Sequence, residues 1–368
     1  MENKPIRVLQ VISSLYVGGL QSVVMNLYRN IDRSKIQFDF IIDHPEYDAL
    51  HEEIEKLGGK IYVMPLFNGK NISVVKKAWN DFFVSNPEYK ILHSHTRSYA
   101  SIYIPIAKKY GLKTIIHSHS VSNGEGIKAR IKDILQYPLR FQADYFFGCT
   151  KESGEWLFGK KVTNSNKFYI LNNAIDTSKF AYNKKVRDEY RKKFDVENKK
   201  VFIQIGNFCV EKNHIFSIEM FSKLYQEDKN TVLFLVGDGE ELSNDKARVD
   251  ELNINGAVVF LGRRNDVNCL LQMADYYLMP SLFEGLSLAA VEAETSGIVC
   301  LFSDRITKDV KITDTCEFIP LEYDKWINTI EDKCSKRADK SNVVKEAGFD
   351  INLTSRWLKD FYERIISE

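Results

Sequence analysis

Several features that would mark an extracellular, metal-stapled or membrane-spanning protein are missing from this sequence. The six cysteines form no C-x-x-C pair and fit no zinc-ligand spacing, so neither a disulfide framework nor a zinc finger is expected. The apolar run after the charged start covers only residues 6–15, far short of the about 20 residues that a membrane-spanning helix needs. No other stretch qualifies. We therefore expect a cytoplasmic protein, at most peripheral on the inner face of the cell membrane.

A charge excess of either sign is also missing. The chain has 51 lysines and arginines against 50 aspartates and glutamates, a net charge of +1. Nucleic-acid binders carry a large basic excess, so no nucleic-acid partner is expected. At 368 residues, with 44% hydrophobic residues, the chain is long for one core and suits two domains.

Short β-rich runs alternate with helical patterns along most of the chain, which predicts an α/β fold with two doubly wound, Rossmann-like parallel sheets. The predicted strands cover residues 7–12, 38–42, 60–63, 91–94, 114–118, 145–148, 168–171, 201–206, 231–236, 257–261, 276–279, 298–302 and 317–319. The polar stretch 182–200, YNKKVRDEYRKKFDVENKK, interrupts the alternation and is interpreted as a solvated helix and loop. The expected domains are residues 1–178 and 179–350, with a final helix at 351–368 that can complete the first domain.

Ligands of such sheets bind beyond the carboxyl ends of the strands, so two sheets in tandem predict a central cleft between the domains. The segment 280–297, PSLFEGLSLAAVEAETSG, follows such a strand end. Gly285 allows a turn there, and Ser287 is expected to cap the helix that follows, leaving backbone N–H groups for an anion. Glu284 and Glu292, with seven residues between them, could then both reach one nucleotide-sugar. The alternative is that Glu284 only caps the helix and Glu292 lies on its surface.

This segment resembles retaining glycosyltransferase family 4, a group of GT-B enzymes marked by an E-x7-E motif onto which Glu284 and Glu292 fall. The resemblance is continuous over residues 260–285, FLGRRNDVNCLLQMADYYLMPSLFEG, in the form seen in bacterial exopolysaccharide and capsule enzymes. It implies that Glu292 holds the ribose of a nucleotide-sugar, most often a UDP-sugar in this family, and that Glu284 contacts the transferring sugar. It also implies that the donor is bound by the loop and helix start, Gly285, Leu286, Ser287 and Leu288.

A second matching segment is IGNFCVEKNH, residues 205–214, at the end of another predicted strand. Lys212 lies just before a predicted helix, where its ammonium can neutralise a diphosphate. The family usually has arginine where Asn207 stands, so one guanidinium of the expected donor clamp is absent. The alternative interpretation of Lys212 is an ordinary solvated side chain.

Three further loops are expected to contribute to donor binding. Gly18 and Gly19 lie between the first strand and an amphipathic helix, where paired glycines let the backbone approach a phosphate or sugar. The segment 236–242, VGDGEEL, lacks the third glycine of a dinucleotide-binding loop, and the resemblance instead gives Gly237 the role of clearance beside the donor. Arg263 follows the next strand and could flank the base or phosphates, or be solvated.

Four histidines occur in two short runs, HSHT at 93–96 and HSHS at 117–120, each at a predicted strand end. A His-x-His pair can bind a metal because alternate residues share a face, but no aspartate or cysteine pattern completes a site, so no metal is expected. The family carries a histidine near the transferred sugar; His119 matches that position best, and His117 is the second choice. His93 and His95 could equally be hydrogen-bonded structural residues.

A basic, partly apolar segment lies between the second histidine run and the next strand. Two interpretations of its apolar stripe stay open, since the stripe could face a core or lie on an anionic membrane surface. The residues concerned are Lys128, Arg130, Lys132 and Arg140, interleaved with Ile127, Ile131, Ile134 and Leu135.

The resemblance implies sugar transfer from a nucleotide-sugar to a glycan or polyprenyl-linked glycan acceptor in surface polysaccharide synthesis. It implies retention of the anomeric configuration and no cofactor. The expected catalytic residues are Glu284, as a stabilising carboxylate, Lys212 and His119. Two alternatives are a nucleotide-sugar 2-epimerase of the same fold and a non-catalytic sugar-nucleotide binding subunit, the latter suggested by Asn207.

Overall fold

Both predicted parallel sheets are present in the computed structural model, which describes residues 4–16, 18–45, 49–119, 126–332 and 337–368. The chain divides into two units, the first comprising Met1–Ala174 and Ile351–Glu368 and the second Ile175–Asp350. The division falls after Ala174, where the sequence suggested residue 178, and the final helix belongs to the first unit.

The first unit is built on a seven-stranded parallel sheet in the order β3-β2-β1-β4-β5-β6-β7. Its strands are β1 Ile6–Val11, β2 Ile36–Ile42, β3 Ile61–Val63, β4 Ile91–Ser94, β5 Lys113–Ser118, β6 Tyr145–Gly148 and β7 Phe168–Ile170. Its helices are α1 Gly19–Asn30, α2 Ala49–Lys56, α3 Ile72–Ser85, α4 Ala100–Lys109, α5 Ile127–Gln136, α6 Leu139–Gln142, α7 Lys151–Phe158, α8 Lys160–Thr163 and α17 Ile351–Ser367.

The second unit is built on a six-stranded parallel sheet in the order β10-β9-β8-β11-β12-β13. Its strands are β8 Lys200–Ile205, β9 Thr231–Val236, β10 Val258–Gly262, β11 Tyr276–Met279, β12 Val299–Ser303 and β13 Cys316–Ile319. Its α-helices are α9 Thr177–Phe180, α10 Lys184–Lys193, α11 His214–Glu227, α12 Leu242–Glu251, α13 Val267–Met273, α14 Leu288–Thr295, α15 Tyr323–Asp332 and α16 Ser341–Val344. Shorter turns of 3₁₀-helix lie at Val210–Lys212 and Lys308–Val310, and a π-turn at Lys345–Phe349.

Each sheet buries its own apolar layer, because strands covered by helices on both faces are apolar throughout. In the first unit, Trp79 of α3 stacks on Tyr103 of α4 with ring centroids 4.3 Å apart. Helix α17 packs its aromatic face on the same sheet, with Phe361 5.0 Å from Phe147 of β6. In the second unit, the buried Trp326 of α15 donates its indole N–H to the Pro320 carbonyl at 2.9 Å.

Strand order reverses at one place in each sheet, and this places the candidate sites. The first strand of each unit has its later neighbours on both sides, so the reversal lies between β1 and β4 and between β8 and β11. Loops leaving adjacent strands at such a point diverge to opposite faces and open a crevice for ligands. The residues after β1, β4, β8 and β11 are therefore the ones to search.

The prediction that stretch 182–200 is merely solvated was only partly right. Helix α10 is largely exposed, but two of its arginines face inward and bind the end of α13. Arg187 donates to three backbone carbonyls, of Gln272, Met273 and Ala274, and pairs with the buried carboxylate of Asp275 at 2.5 Å. Arg191 binds the same carboxylate at 3.2 Å, so the helix is fastened to the unit by buried ion pairs.

No helix among the described residues is both long enough and apolar enough to cross a membrane.

Candidate active site

The loops after β8 and β11 are fastened to each other at the reversal point of the second sheet. Asn213 donates its side-chain amide to the Pro280 carbonyl at 3.0 Å, and the Leu282 N–H donates to the Glu211 carbonyl at 2.8 Å. Asn213 itself has left-handed backbone dihedrals, φ 55° and ψ 45°, and directly precedes α11. The two loops therefore form one fixed surface that brings distant parts of the chain together.

Lys212 and Glu284 meet on this surface. The Lys212 ammonium lies 2.5 Å from the Glu284 carboxylate, and both side chains keep about a fifth of their area exposed, 22% and 17%. The Lys212 backbone is fixed as well, because its carbonyl accepts from the buried Gln204 side chain at 2.9 Å. A partly exposed, preoriented cation and anion can bind two different groups of one ligand, the cation a charged phosphate and the anion neutral sugar hydroxyls that donate hydrogen bonds to it.

Helix α14 begins at Leu288 as the motif predicts, with Ser287 at the N-cap position. The expectation that the Ser287 side chain caps the helix was wrong, because its hydroxyl accepts no hydrogen bond from the first turn. The first N–H groups of a helix have no acceptor within the helix, so in this structure they stay available to a ligand. Gly285 and Leu286 lie in the bend between Glu284 and this helix start.

Glu292 lies in the second turn of α14, where burial raises the pKa of its carboxyl to about 8, and Lys179 of α9 opposes the rise. Among the described residues its carboxyl has no hydrogen-bond donor. Two positions further on, the buried Glu294 contrasts with it. The Glu294 carboxylate accepts from the Ile312 N–H and from the Thr313 N–H and hydroxyl at 2.7–3.0 Å. The Oε2 atom of Glu294 is therefore satisfied by its neighbours. That Glu292 binds the ribose of a ligand stays a prediction.

Tyr277 of β11 is a further candidate for this site, and the sequence reasoning missed it. Its hydroxyl is buried and has no hydrogen-bond partner among the described residues. Burial raises the Tyr277 pKa far above its usual value, and the nearby charges of Cys300, Glu284 and Glu292 add to the rise. The phenol is therefore near enough to both motif carboxylates for their charges to act on it. A tyrosine in an apolar strand usually signals core, so only the alternation of sides along β11 could have singled it out.

The glycines after β9 allow the loops to pack against each other. A Cβ atom on Gly237, whose φ is +145°, would lie 1.9 Å from the Gly206 carbonyl oxygen. The space beside Gly237, which was expected to accommodate the donor, is thus occupied by the backbone of Gly206. Asn207 and Arg263 are exposed beside these loops, and Arg263 lies 3.8 Å from the Asp238 carboxylate.

In the first unit, Gly18 and Gly19 form the start of α1. Gly18 is the N-cap residue in an extended conformation, and as a glycine it has no side chain to cap the helix. Its carbonyl accepts from the Ser22 N–H at 2.9 Å. A Cβ on Gly19 would meet no atom within 4 Å. The backbone is therefore open to approach at Gly19, whereas a Cβ on Gly18 would lie 3.0 Å from the Gln21 side-chain oxygen.

The four histidines come together at the ends of β4 and β5. The rings of His93 and His95 stack with centroids 4.5 Å apart, and those of His117 and His119 lie 3.9 Å apart at a tilt of 33°. Further hydrogen bonds join His95 to Gln10 of β1 at 2.8 Å and His93 to the Tyr362 hydroxyl of α17 at 2.6 Å. The strand-end placement of the two runs is as the sequence predicts.

The hydrogen bonds fix the tautomer of His119. His95 Nε2 donates to the Gln10 amide oxygen, so His95 Nδ1 carries a lone pair and accepts from His119 Nε2 at 2.8 Å. His119 Nδ1 is then the ring atom without a hydrogen, and it has no partner among the described residues. His119 thus presents one acceptor nitrogen without a partner among the described residues, which can accept a hydrogen bond from a hydroxyl.

All four imidazoles are held neutral. Burial lowers the pKa of His95 to about 3 and drives the pKa values of His93, His117 and His119 well below 6.5, with the neighbouring histidines adding to the effect.

Candidate metal-ligand nitrogens of His93, His95 and His117 lie within 4.8 Å of one another. Both nitrogens of His95 are already hydrogen-bonded, so ligation would break one of these bonds. That no metal takes part stays a prediction.

Two Rossmann-like parallel-sheet units in tandem are the architecture of the GT-B glycosyltransferases. Two family models match in succession, Glycosyltransferase Family 4 over residues 17–179 and Glycosyl transferases group 1 over residues 186–311. The chain belongs to glycosyltransferase family 4.

Relatives match along nearly the whole chain. The EpsF protein of Bacillus subtilis (strain 168) is 29% identical over 356 residues, which cover 94% of this chain and 92% of that protein. The UDP-Gal:alpha-D-GlcNAc-diphosphoundecaprenol alpha-1,3-galactosyltransferase of Escherichia coli is 24% identical over 361 residues, 89% of this chain and 91% of that protein. The crystal structure of Anabaena Alr3699/HepE in complex with UDP superposes with a TM-score of 0.79 at 16% identity, covering 98% and 100% of the two chains.

Proposed function

We propose that this glycosyltransferase moves a sugar from a UDP-sugar to a glycan or polyprenyl-linked glycan acceptor, with retention of the anomeric configuration. The observation that carries the proposal is the Lys212–Glu284 pair at 2.5 Å beside the uncapped start of α14. The UDP bound by HepE and the UDP-galactose donor of the Escherichia coli relative support the choice of nucleotide. The diphosphoundecaprenol acceptor of that relative supports a lipid-linked acceptor in surface polysaccharide synthesis.

In the proposed reaction, the bond between the anomeric carbon and the diphosphate oxygen breaks while the acceptor oxygen bonds to the same face of the sugar. The departing diphosphate takes the acceptor proton. Lys212 and the N–H groups at the start of α14 stabilise the charge that develops on the diphosphate. Because these groups supply positive charge, no metal is required.

The remaining site residues orient the donor and the sugar. Glu292 accepts hydrogen bonds from the ribose hydroxyls, and Glu284 accepts from the transferring sugar and stabilises positive charge at its anomeric carbon. Gly285, Leu286, Ser287 and Leu288 provide the phosphate-facing backbone, with Asn207, Gly237 and Arg263 beside it. Gly18, Gly19 and His119 are the proposed contribution of the first unit. The proposed setting is the cytoplasm, at the inner face of the membrane for a lipid-linked acceptor.

The test is incubation of the purified chain with UDP-sugars and a panel of glycan and polyprenyl-diphosphate-glycan acceptors. The proposal predicts UDP release together with an acceptor product whose anomeric configuration, read by NMR coupling constants, matches that of the donor. Epimerised sugar formed without acceptor would replace the proposal with the 2-epimerase alternative. Donor binding without any turnover across the panel would favour a binding subunit.

A further inference from the structure

An apolar strip is exposed on α5 and α6 of the first unit. It consists of Ile127, Ile131, Ile134, Tyr137 and Phe141, hereafter the α5–α6 strip, whose exposed fractions are 78%, 52%, 72%, 53% and 72%. Their spacing of three or four residues puts them along one side of consecutive helical turns. Five of the nineteen exposed large apolar residues in the described structure therefore fall within fifteen residues of chain.

The other side of these two helices already packs on the unit. Ala129, Gln136 and Leu139 are buried, with exposed fractions of 6%, 5% and 0%. An ordinary surface helix buries its apolar stripe and exposes its polar one, and here the large apolar residues are on the outside. The interpretation in which this stripe faces the core of the chain was therefore wrong.

Basic side chains flank the strip. Arg130 and Lys132 are exposed on α5, and the Arg140 guanidinium lies 4.5 Å from the centre of the Tyr137 ring. Residues 127–142 contain four basic residues and one acidic residue, a net charge of +3, whereas the whole chain carries +1. A second copy of the same strip would bring two such charges together, so self-association through it is disfavoured. An anionic surface is the complementary partner.

We propose that the α5–α6 strip docks the protein on an anionic lipid bilayer, with its isoleucines and phenylalanine inserted at the boundary between headgroups and acyl chains and Arg130 and Lys132 at the headgroups. Apolar insertion and attraction to anionic headgroups together produce peripheral binding of this kind. The proposal names a surface of the first unit and does not depend on which acceptor the enzyme uses.

The test is sedimentation of the full chain with vesicles of phosphatidylglycerol and phosphatidylethanolamine, compared with vesicles of phosphatidylcholine alone. Wild type should bind the anionic vesicles, and Ile134→Ser/Phe141→Ser should lower the partition coefficient by about tenfold or more. Arg130→Gln/Lys132→Gln should lower it by about tenfold on anionic vesicles and leave weak binding to neutral ones unchanged. The matched control is Val84→Ser/Val343→Ser, at apolar residues exposed by 65% and 45% elsewhere on the chain.

Three results would overturn the proposal. Wild type could bind anionic vesicles no better than neutral ones, or the control could lose as much binding as the strip variant. A dimer that the strip variant abolishes, without vesicle binding by wild type, would assign the strip to a second copy. Thermal stabilisation by UDP, measured on every variant without lipid, keeps the two claims apart because loss of donor binding and loss of docking are read separately.

Discussion

The two sheets end in chemically opposite edges. At the β8 and β11 ends, cation and anion are paired at 2.5 Å on loops fastened to each other. At the β4 and β5 ends, four closely packed imidazoles are held neutral by burial, and His119 offers one acceptor nitrogen without a partner among the described residues. Fixed charge suits a diphosphate and a neutral acceptor suits a hydroxyl, so the proposed function assigns the donor phosphates to the first of these edges and a hydroxyl group to the second.

A substitution at the charged β8 and β11 ends should give the largest loss of activity. Lys212→Met removes the proposed counter-charge of the leaving diphosphate and leaves the Glu284 carboxylate without its partner, so kcat should fall by about 1,000-fold. Initial rates of UDP release with acceptor measure it. Lys223→Met is the matched control, because that ammonium pairs with the exposed Asp324 at 3.5 Å on the surface of α11. If kcat fell by only about threefold in both variants, Lys212 would have no part in the mechanism.

The four neutral histidines at the β4 and β5 ends should make the fold less stable in acid. The folded pKa values of the four histidines lie below their unfolded values, so the unfolded state binds more protons as the pH falls below about 6.5. The contribution of these histidines to the free energy of unfolding should be fully present above that pH and decline by several kcal/mol towards about pH 5. Urea titrations across this range measure it. His117→Phe should flatten the decline by about one proton, and an unchanged slope would contradict neutral burial of that ring.

The choice between the two candidate histidines follows from their hydrogen bonds. His119→Phe keeps the ring stacking but removes the free Nδ1 acceptor, so kcat should fall by about 10- to 100-fold with donor affinity preserved. His117→Phe removes only buried nitrogens that have no partner among the described residues, and kcat should stay within about threefold. The reverse ranking would make His117 the functional histidine.

The smallest kinetic change is expected for Arg263, which is exposed beside the loops at the β8 and β11 ends. Arg263 is exposed and lies 3.8 Å from Asp238, so solvent screens whatever attraction it exerts on a donor phosphate. Arg263→Ala should raise KM for the donor by about two- to fivefold and leave kcat unchanged. Steady-state kinetics at varied donor concentration measure it, and a large fall in kcat would place Arg263 among the catalytic residues.

The architecture could be predicted from the sequence because short apolar runs alternate regularly with amphipathic helices. All thirteen predicted strands are present, with ends shifted by at most two residues. The role of the Gly237 loop could not be predicted, because a glycine that clears a ligand and one that clears a neighbouring backbone look alike in sequence.

Pairings across long stretches of chain were also beyond sequence reasoning. Glu284 and Glu292 stand out through their spacing, but the contact of Glu284 with Lys212 joins residues 72 positions apart. Tyr277 has the sequence pattern of a core residue. Arg187, which forms a buried ion pair with Asp275, lies in a stretch whose composition is that of a solvated helix. Such contacts depend on strand order, which periodicity does not reveal.

The central claim is that the second unit binds the nucleotide through Glu292, and thermal unfolding with and without UDP tests it most directly. UDP at about 100 times its Kd should stabilise wild type by about 2.7 kcal/mol, and Glu292→Ala should lose most of that shift. Glu227→Ala, at an exposed carboxylate on the end of α11, should keep it. Near pH 8, the free Glu292→Ala protein should itself be no less stable than wild type, because ionising a carboxyl whose folded pKa is raised to about 8 disfavours the folded state. A full wild-type shift in Glu292→Ala would contradict the account.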